Sequence, residues 1–512
     1  MIARTARLLA WTRATLGCVL VLLAVALGLS WNEPLIDMHE FRQTQTAISS
    51  YWMTRGGPLW LYETPLFGPP WLVPFEFPLY QWIVAALAGS GLPLSLDQSG
   101  RLVSMAALLA CLWPLQASLR MFGASPRLVG IACVLFLAAP IHVFWGRSLM
   151  IETLALLLAM GFTAVIQAMV ASRRFSLAVP ATALATGAAL VKITTFFGFA
   201  ALAGAVVAVA LVPELRSRNV RRAARLAVAA AVPVAIALAA LLWWLDVSDA
   251  AKAASPFTAW LTSGQLSEWN HGTHEQRLSA AFWVDTVAGR SAMDILGYAA
   301  WWLPLVFAAS WFTGDRRGMA RFYAVSMASF LLPMLVFTNL HLAHNYYQVA
   351  NAVFLLVFSA AAIDHASRNR APWVAAAVTV LFVIGMSGHT WRHFMPSVLQ
   401  DKSTHPTIEL ARAIRTHVHE DDIIITAGLD WAATVPYYSK RRALMLLRES
   451  DLQNVPGAFP AREDPDGARI GALVQCLAGY EFVMRLEPLL GPEPQRINAG
   501  GCAILVRNPS KE

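Results

Sequence analysis

The stretch RATLGCVLVLLAVALGLSWNEPLIDMHEFRQTQTA, residues 13–47, joins a long apolar run to a cluster of charged side chains. Residues 13–31 are long enough to cross the hydrocarbon core of a bilayer as a helix. Asp37, His39, Glu40 and Arg42 follow shortly after this run. The stretch therefore predicts a membrane helix whose first loop holds ionisable groups at the edge of the bilayer.

The composition of the whole chain supports a membrane protein. Of its 512 residues, 57% are hydrophobic and only 14% are charged, and the mean hydropathy is +0.53. A soluble domain has about 25% charged residues. Many of the 19 Trp lie beside Pro or at the ends of apolar runs, as expected for the aromatic belts at a membrane surface. The chain is therefore predicted to be a polytopic α-helical membrane protein.

Apolar runs of about 17 to 22 residues predict about eleven transmembrane helices. They lie near residues 13–31, 101–119, 128–146, 150–171, 176–191, 195–212, 224–245, 293–312, 320–338, 348–364 and 371–388. Only Lys192 interrupts the apolar segment 176–212. A single fused helix there would invert every later loop.

The distribution of arginine predicts the orientation. The loops on the side of the N-terminus hold only three acidic residues, Glu214, Asp315 and Asp364, but many arginines. Those arginines include Arg4, Arg7, Arg13, Arg173, Arg174, Arg216, Arg218, Arg221, Arg222 and Arg225. Basic loops favour the cytoplasmic side. We therefore predict a cytoplasmic N-terminus that stays as a membrane anchor, in a bacterial inner membrane, and the net charge of +8 gives no reason to expect nucleic-acid binding.

The chain is predicted to have two domains: a transmembrane domain, 1–388, and a periplasmic α/β domain, 389–512. The first periplasmic loop, 32–100, belongs to the transmembrane domain and is expected to hold two surface helices, within residues 41–57 and 78–94.

In the C-terminal domain, 405–422 and 469–479 read as helices. Strands are expected at 423–428, 441–446, 480–486 and 501–507. Cys476 and Cys502 lie in this domain, and they form a disulfide if the compartment is oxidising and their backbones approach closely enough.

Unusual ionisable and aromatic residues collect at the predicted outer ends of the helices. They are Asp37, Glu40, Arg42, Arg101, Arg147, Glu152, Lys192 and the segment HLAHNYYQ at 341–348. Such groups cost several kcal/mol at membrane depth unless they face a cavity or a partner. Any one of them is explained by a side chain that reaches the interface, but their collection on one side indicates a site. Cations there would hold a phosphate, and a carboxylate would take a proton from an attacking hydroxyl.

The order of several short motifs resembles the GT-C class of polyprenyl-phosphate-sugar glycosyltransferases, such as protein O-mannosyltransferases and the lipid A aminoarabinose transferase. The resemblance covers residues 1–365. It rests on an acidic residue after the first helix, a long first loop, the E-x-P-L-Y-x-W stretch from Glu76 to Trp82, an Arg that opens the next helix, and H-x-Y-Y between later helices.

This resemblance implies roles for individual residues. Asp37 matches the catalytic base, with Glu40 as a second acid and His39 as a neighbour that orients it. Donor phosphate and sugar would be bound by Arg42, Glu76, Arg101, Arg147, Glu152, Lys192, His344, Tyr346 and Tyr347. The sequence departs from the pattern at Phe77, where some members have a Lys, so the phosphate ligand must come from another position.

A metal is a further possibility in the first loop. Asp37, His39 and Glu40 together offer oxygen and nitrogen ligands for a divalent cation, although a fourth ligand would have to come from a distant part of the chain. No cofactor is otherwise expected.

The predicted function is an inverting transfer of a sugar from a polyprenyl-phosphate donor to a hydroxyl of a glycan, lipid or protein acceptor on the periplasmic side. One alternative is a transporter or flippase for a lipid-linked glycan, which would place charges at the bilayer midplane and show an internal repeat. Another is an enzyme like the O-antigen polymerases and ligases. The sequence identifies neither the sugar nor the acceptor.

Overall fold

The computed structural model describes residues 2–312, 316–459 and 469–508. Most of these residues are helical. In chain order the α-helices are α1 Ile2–Ser30, α2 Glu40–Thr54, α3 Leu79–Ala88, α4 Leu96–Ala110, α5 Leu112–Met121, α6 Pro126–Ala138, α7 Pro140–Trp145, α8 Glu152–Ser172, α9 Ala178–Arg216, α10 Val220–Ala253, α11 Ser267–His271, α12 His274–Leu278, α13 Ala292–Leu296, α14 Leu303–Trp311, α15 Arg316–Val336, α16 Thr338–Ala343, α17 Gln348–Ala366, α18 Pro372–His389, α19 Met395–Leu399, α20 Pro406–His417, α21 Thr434–Ser439 and α22 Val455–Ala458. A π-helix, Ala281–Ser291, precedes α13.

The chain divides into two compact units. The first, here called the bundle unit, comprises residues 1–31, 101–244 and 267–398. The second, here called the loop unit, comprises residues 32–100, 245–266 and 399–512. The loop unit thus joins the first loop, the end of α10 and the C-terminal segment in one folded body.

Several helices of the described residues are suited to crossing a membrane. Eight are long and apolar enough, and a ninth span results if the bent pair Ala281–Trp301 and Leu303–Trp311, which meet at 68°, is counted once. The segment predicted at 128–146 is divided at Pro140 into α6 and α7, so neither piece is long enough by itself. The prediction of a polytopic helical membrane protein is confirmed.

The long helix α9 contains a reversal of the chain at Lys192. Leu158 of α8 packs against Gly187 of α9, and Leu184 of α9 packs against Gly161 of α8. These contacts make α8 antiparallel to the first half of α9. Lys192 itself has non-helical angles, φ −163° and ψ 97°.

The second half of α9 runs parallel to α8 instead. Phe162 contacts Phe196 with ring centroids 5.3 Å apart, and Arg173 pairs with Glu214 at 2.8 Å. Both halves of α9 therefore lie along α8 in opposite directions, which makes α9 a helical hairpin with Lys192 at its tip. This agrees with the two separate segments predicted at 176–191 and 195–212.

The two helices predicted for the first loop are present. The first is α2, and the second is α3, whose ten residues span only about 15 Å. Since the hydrocarbon core is about 30 Å thick, α3 is too short to cross it, as predicted.

A five-stranded sheet forms the core of the C-terminal segment. Its strands are β1 Ile423–Ala427, β2 Ala443–Leu446, β3 Ile470–Gln475, β4 Gln495–Ala499 and β5 Cys502–Val506, in the order β2-β1-β3-β5-β4. The first three are parallel to one another, and β5 pairs antiparallel with β3 and β4. β1 lies between two parallel neighbours, which agrees with the burial of all five of its residues.

Two predictions in this segment were wrong. The helix predicted at 469–479 is instead strand β3, because its apolar residues are buried on both faces between β1 and β5. The strand predicted at 480–486 is a 3-10 helix, Glu481–Leu490, which contains Pro488. Residues 460–468 and 509–512 of the predicted domain lie outside the described residues.

Cys476 and Cys502 form a disulfide. The antiparallel register of β3 and β5 pairs Gln475 with Ala503, so the two cysteines stand next to this last pair of the ladder. Their Cα atoms are 4.1 Å apart.

Candidate functional site

Asp37 is held in the interior of the loop unit. Its side chain is buried and accepts a hydrogen bond from the Gln43 side-chain amide. Gln43 lies on the first turns of α2 and also donates to the Met38 carbonyl at 3.1 Å. The amide therefore fixes one oxygen of the Asp37 carboxylate.

The polar residues that follow on α2 are also buried. Gln43, Thr44, Gln45 and Thr46 all face the interior, although a helix on a wet surface would expose such residues. Arg42 donates to Gln45 at 2.7 Å and forms an ion pair with Glu76. The first turns of α2 therefore supply a network of polar side chains rather than a solvated face.

Lys252 at the end of α10 extends this network. Its ammonium group pairs with Asp249 at 3.2 Å, donates to the Leu261 carbonyl at 3.1 Å and interacts with the charge of Glu76. Asp249 and Lys252 both lie in the segment LDVSDAAKA, residues 245–253, which no local motif linked to the site. Two cations, Arg42 and Lys252, thus surround Glu76.

Glu40 is the second acid of the first loop. Burial, followed by the charge of Asp37, raises its pKa above the ordinary value for a carboxyl. The folded environment therefore favours the protonated form of Glu40 while Asp37 is ionised.

The possible metal site of Asp37, His39 and Glu40 is not assembled. Among the described residues, no group of three or more His, Cys, Asp or Glu side chains is placed to hold a metal ion. His39 adopts a left-handed conformation, φ 53°, immediately before α2, and its ring packs against Phe41 at 5.9 Å.

An aromatic cluster lies beside this network in the loop unit. Trp431 contacts Phe75 with stacked rings at 5.9 Å, Phe67 at 6.1 Å, Trp260 at 6.1 Å and Phe41 at 6.4 Å. All of these rings except Phe67 are partly exposed. Trp431 follows β1 at the carboxyl end of the parallel strands, where α/β sheets commonly bind ligands.

A second group lies in the bundle unit, at the tip of the α9 hairpin. Lys192 and Glu152 form an ion pair at 2.7 Å, and both side chains are buried. The Lys192 ammonium also lies 4.1 Å from the ring centroid of Tyr347 and 5.1 Å from that of Tyr346. The pair brings together four of the residues predicted to bind the donor.

The segment HLAHNYYQ folds as α16 and a 3-10 turn, Asn345–Tyr347. The partly exposed His344 stacks on Tyr346 at 5.1 Å. His341, which the sequence analysis did not select, is the buried histidine of the segment. Its ring lies 5.7 Å from Tyr347 and 2.9 Å, at Nδ1, from the Gln348 side-chain amide.

The environment of His341 keeps its ring neutral. Burial, and then the positive charges of Lys192 and Arg290, lower its pKa to about 3. Its Nε2 atom makes no hydrogen bond within the described part of the chain. A buried polar atom of this kind is normally paired, so the Nε2 atom of His341 is an unsatisfied group in the neighbourhood of Lys192.

Arg101 and Arg147 are also buried in the bundle unit. Arg101 lies 3.5 Å from the carbonyl of Trp31 at the end of α1, and the Arg147 guanidinium lies 4.4 Å from the ring centroid of Phe144. Neither side chain extends to an aqueous surface. Of the predicted site residues, five thus lie in the loop unit and seven in the bundle unit.

No protein-family profile and no curated protein sequence matches the chain. Solved structures do resemble it. ArnT from Cupriavidus metallidurans bound to undecaprenyl phosphate superposes with a TM-score of 0.63 over 98% of each chain, at 14% sequence identity.

Archaeal oligosaccharyltransferase AglB from Archaeoglobus fulgidus, in complex with an inhibitory peptide and a dolichol-phosphate, matches 98% of this chain and 75% of its own, with a TM-score of 0.53 and 10% identity. Arabinofuranosyltransferase AftD from mycobacteria matches 96% of this chain and 40% of its own, with a TM-score of 0.51 and 14% identity. The chain has the GT-C fold. This confirms the fold that the motifs of the first loop and of HLAHNYYQ predicted, and the GT-C likeness extends beyond residue 365 to nearly the whole chain.

Proposed function

We propose that the protein is an inverting glycosyltransferase that moves a sugar from a polyprenyl-phosphate donor to a hydroxyl acceptor on the periplasmic side of a bacterial inner membrane. The observation that carries this proposal is the buried Asp37, which accepts a hydrogen bond from Gln43 of α2. The neighbouring Arg42 of the same helix pairs with Glu76, which also interacts with the charge of Lys252. The lipid phosphates named with the ArnT and AglB structures support a donor of this class.

The proposed reaction is a direct displacement. The acceptor oxygen forms a bond to the anomeric carbon, and the bond from that carbon to the phosphate oxygen breaks. The phosphate leaves with the electron pair, and Asp37 takes the proton of the acceptor hydroxyl. Since a lipid phosphate is already a good leaving group, cations that stabilise its charge are sufficient and no strong general acid is needed.

Lys192 is the proposed ligand of the donor phosphate in the bundle unit. Its ammonium group is fixed by Glu152 and faces Tyr347, so little reorganisation is needed when an anion binds.

Arg101, Arg147, His344 and Tyr346 complete the predicted donor-binding set of the bundle unit. Arg42 and Glu76 have the corresponding role in the loop unit, and Glu40 and His39 would tune Asp37.

The segment 389–512 is proposed to lie on the periplasmic side, where it recognises the acceptor or shields the reaction from water. The position of Trp431 at the carboxyl end of β1 supports this role, because a partly exposed indole provides a flat apolar surface for a sugar ring.

The test is transfer by purified protein in detergent, with polyprenyl-phosphate-linked sugars as donors. Release of free polyprenyl phosphate is measured by mass spectrometry. We expect Asp37→Asn to lose at least about a hundredfold in rate, the usual contribution of a general base. Asp421→Asn, which changes a carboxylate whose side chain is 86% exposed, is the matched control and retains the rate.

Wild-type activity in Asp37→Asn would remove the assignment of the base. Movement of a lipid-linked glycan across liposomes without release of polyprenyl phosphate would favour a transporter instead. Release of a polyprenyl diphosphate would favour an enzyme of the polymerase or ligase type.

A further inference from the structure

A large apolar cavity lies in the bundle unit, away from Lys192. Its volume is about 310 Å³, which is within the range of ligand pockets. It is bordered by five helices, α5, α8, α9, α15 and α17. The residues of α15 that line it, Gly318, Arg321, Phe322, Val325, Ser326 and Ser329, recur at helical spacing and form a stripe about 16 Å long.

The cavity opens at the end of the bundle opposite the Lys192–Glu152 pair. Pro333 of α15 packs against Gly198, close to the hairpin tip, whereas Tyr323 reaches His365 near the end of α17. Arg321 therefore lies at the same end as the Arg173–Glu214 pair. This is the arginine-rich side, which the sequence predicts to be cytoplasmic.

Arg321 is the charged residue of the cavity lining. Its side chain is exposed, and it makes no hydrogen bond or ion pair with any other residue that the structure describes. Phe122 and Val325, which also line the cavity, are 49% and 45% exposed, so the cavity is open towards the lipid. A cation thus stands at the mouth of an apolar slot that points into the membrane.

We propose that this cavity binds an anionic glycerophospholipid of the predicted cytoplasmic leaflet. Arg321 holds the phosphate of the head group, and one acyl chain fills the slot between α15 and α17. Anionic head groups are attracted to basic residues at the membrane surface, and an acyl chain matches the apolar lining. The proposal does not depend on the proposed transferase activity.

The experiment is native mass spectrometry of the full chain from nanodiscs that contain equal amounts of phosphatidylglycerol and phosphatidylethanolamine. We expect wild-type protein to retain one phosphatidylglycerol. Arg321→Gln should reduce its retention about fivefold, the effect of one basic residue near a membrane surface. Ser329→Phe should abolish retention by filling the slot. Arg225→Gln removes an exposed arginine of α10 that does not line the cavity, and it should retain the lipid.

Equal retention by Arg321→Gln and wild type would overturn the proposal, as would equal retention of the two phospholipids. Recovery of a polyprenyl phosphate that Ser329→Phe excludes would identify the cavity as a site for the donor tail instead. If Ser329→Phe is not monodisperse in size-exclusion chromatography, Leu119→Phe fills the same cavity from α5.

Discussion

Lys192 and Glu152 form an ion pair at 2.7 Å in which the two side chains are only 6% and 2% exposed. The pair links the tip of the α9 hairpin to the first residue of α8. A buried pair of this kind is costly to break, because the charge that remains has lost its compensation. The pair therefore has both a structural role and, through Lys192, a proposed role in binding.

Glu152→Gln is predicted to destabilise the fold by about 3 kcal/mol, since it leaves the Lys192 ammonium buried without its partner. Binding of undecaprenyl phosphate should persist, because that ammonium remains available for a phosphate. Lys192→Met should lose this binding. Denaturant titration and native mass spectrometry measure the two effects.

The exposed pair of Arg485 and Glu449 provides the matched control for stability. Glu449→Gln should change the free energy of unfolding by less than about 1 kcal/mol. Retained lipid binding in Lys192→Met would contradict the assignment of the phosphate ligand.

Glu40 should control how stability depends on pH. Its folded pKa is raised by burial and by Asp37, so the native state favours the protonated carboxyl. This contribution is complete below the ordinary carboxyl pKa and is lost as the pH rises through the raised value. Glu40→Gln does not ionise. Compared with wild type it should therefore gain stability above the raised pKa, and a series of melting temperatures from pH 4 to pH 8 measures the difference.

His341 should make the stability depend on pH in the direction opposite to Glu40. Burial and the charges of Lys192 and Arg290 lower its pKa to about 3, so the unfolded chain binds a proton first. The contribution of His341 to the free energy of unfolding is fully present above the unfolded pKa, near 6.5. Below that pH, the free energy of unfolding falls by about 1.4 kcal/mol per pH unit.

His341→Gln should remove this slope between pH 6.5 and pH 4. The exposed His417, which lies on α20, is the control, and His417→Gln should leave the slope unchanged. An unchanged slope in His341→Gln would show that the ring titrates normally.

The sequence predicted the bundle better than the sheet, for physical reasons. Long apolar runs define spanning helices because only the bilayer demands such lengths, and the hairpin at Lys192 was therefore found. The apolar residues of β3 suit a buried helix or a buried strand equally well, and only pairing with β1 and β5 decides between them.

The candidate site shows the same limit. His341 and His344 stand three positions apart in HLAHNYYQ, and tertiary packing determines which of them is buried. Lys252 and Trp431 are distant in sequence from the first loop, so no local pattern links them to Arg42 or Phe75. Local motifs thus identified candidate residues in the first loop, whereas the tertiary fold determines which distant residues contact them.

The disulfide between Cys476 and Cys502 should stabilise the C-terminal sheet. It closes a loop with a sequence separation of 26 residues, for which restriction of the unfolded chain gives about 3 kcal/mol. The double variant Cys476→Ala and Cys502→Ala should lose this amount in denaturant titration. Reductant should lower the stability of the wild type but not of the variant.

Trp431 is expected to contribute to binding rather than to the chemical step. Its indole packs on Phe75 and lies in a partly exposed aromatic cluster. If a sugar ring stacks on this surface, Trp431→Ala should raise KM about tenfold with little change in kcat, since uniform binding is lost. Trp431→Phe should recover most of the affinity, because a flat ring remains. Trp391→Ala, which removes an exposed Trp of the bundle unit, is the control.

A fall in kcat with unchanged KM in Trp431→Ala would instead indicate that the ring positions the catalytic network. A loss of thermal stability in both Trp431 variants would assign the ring to packing.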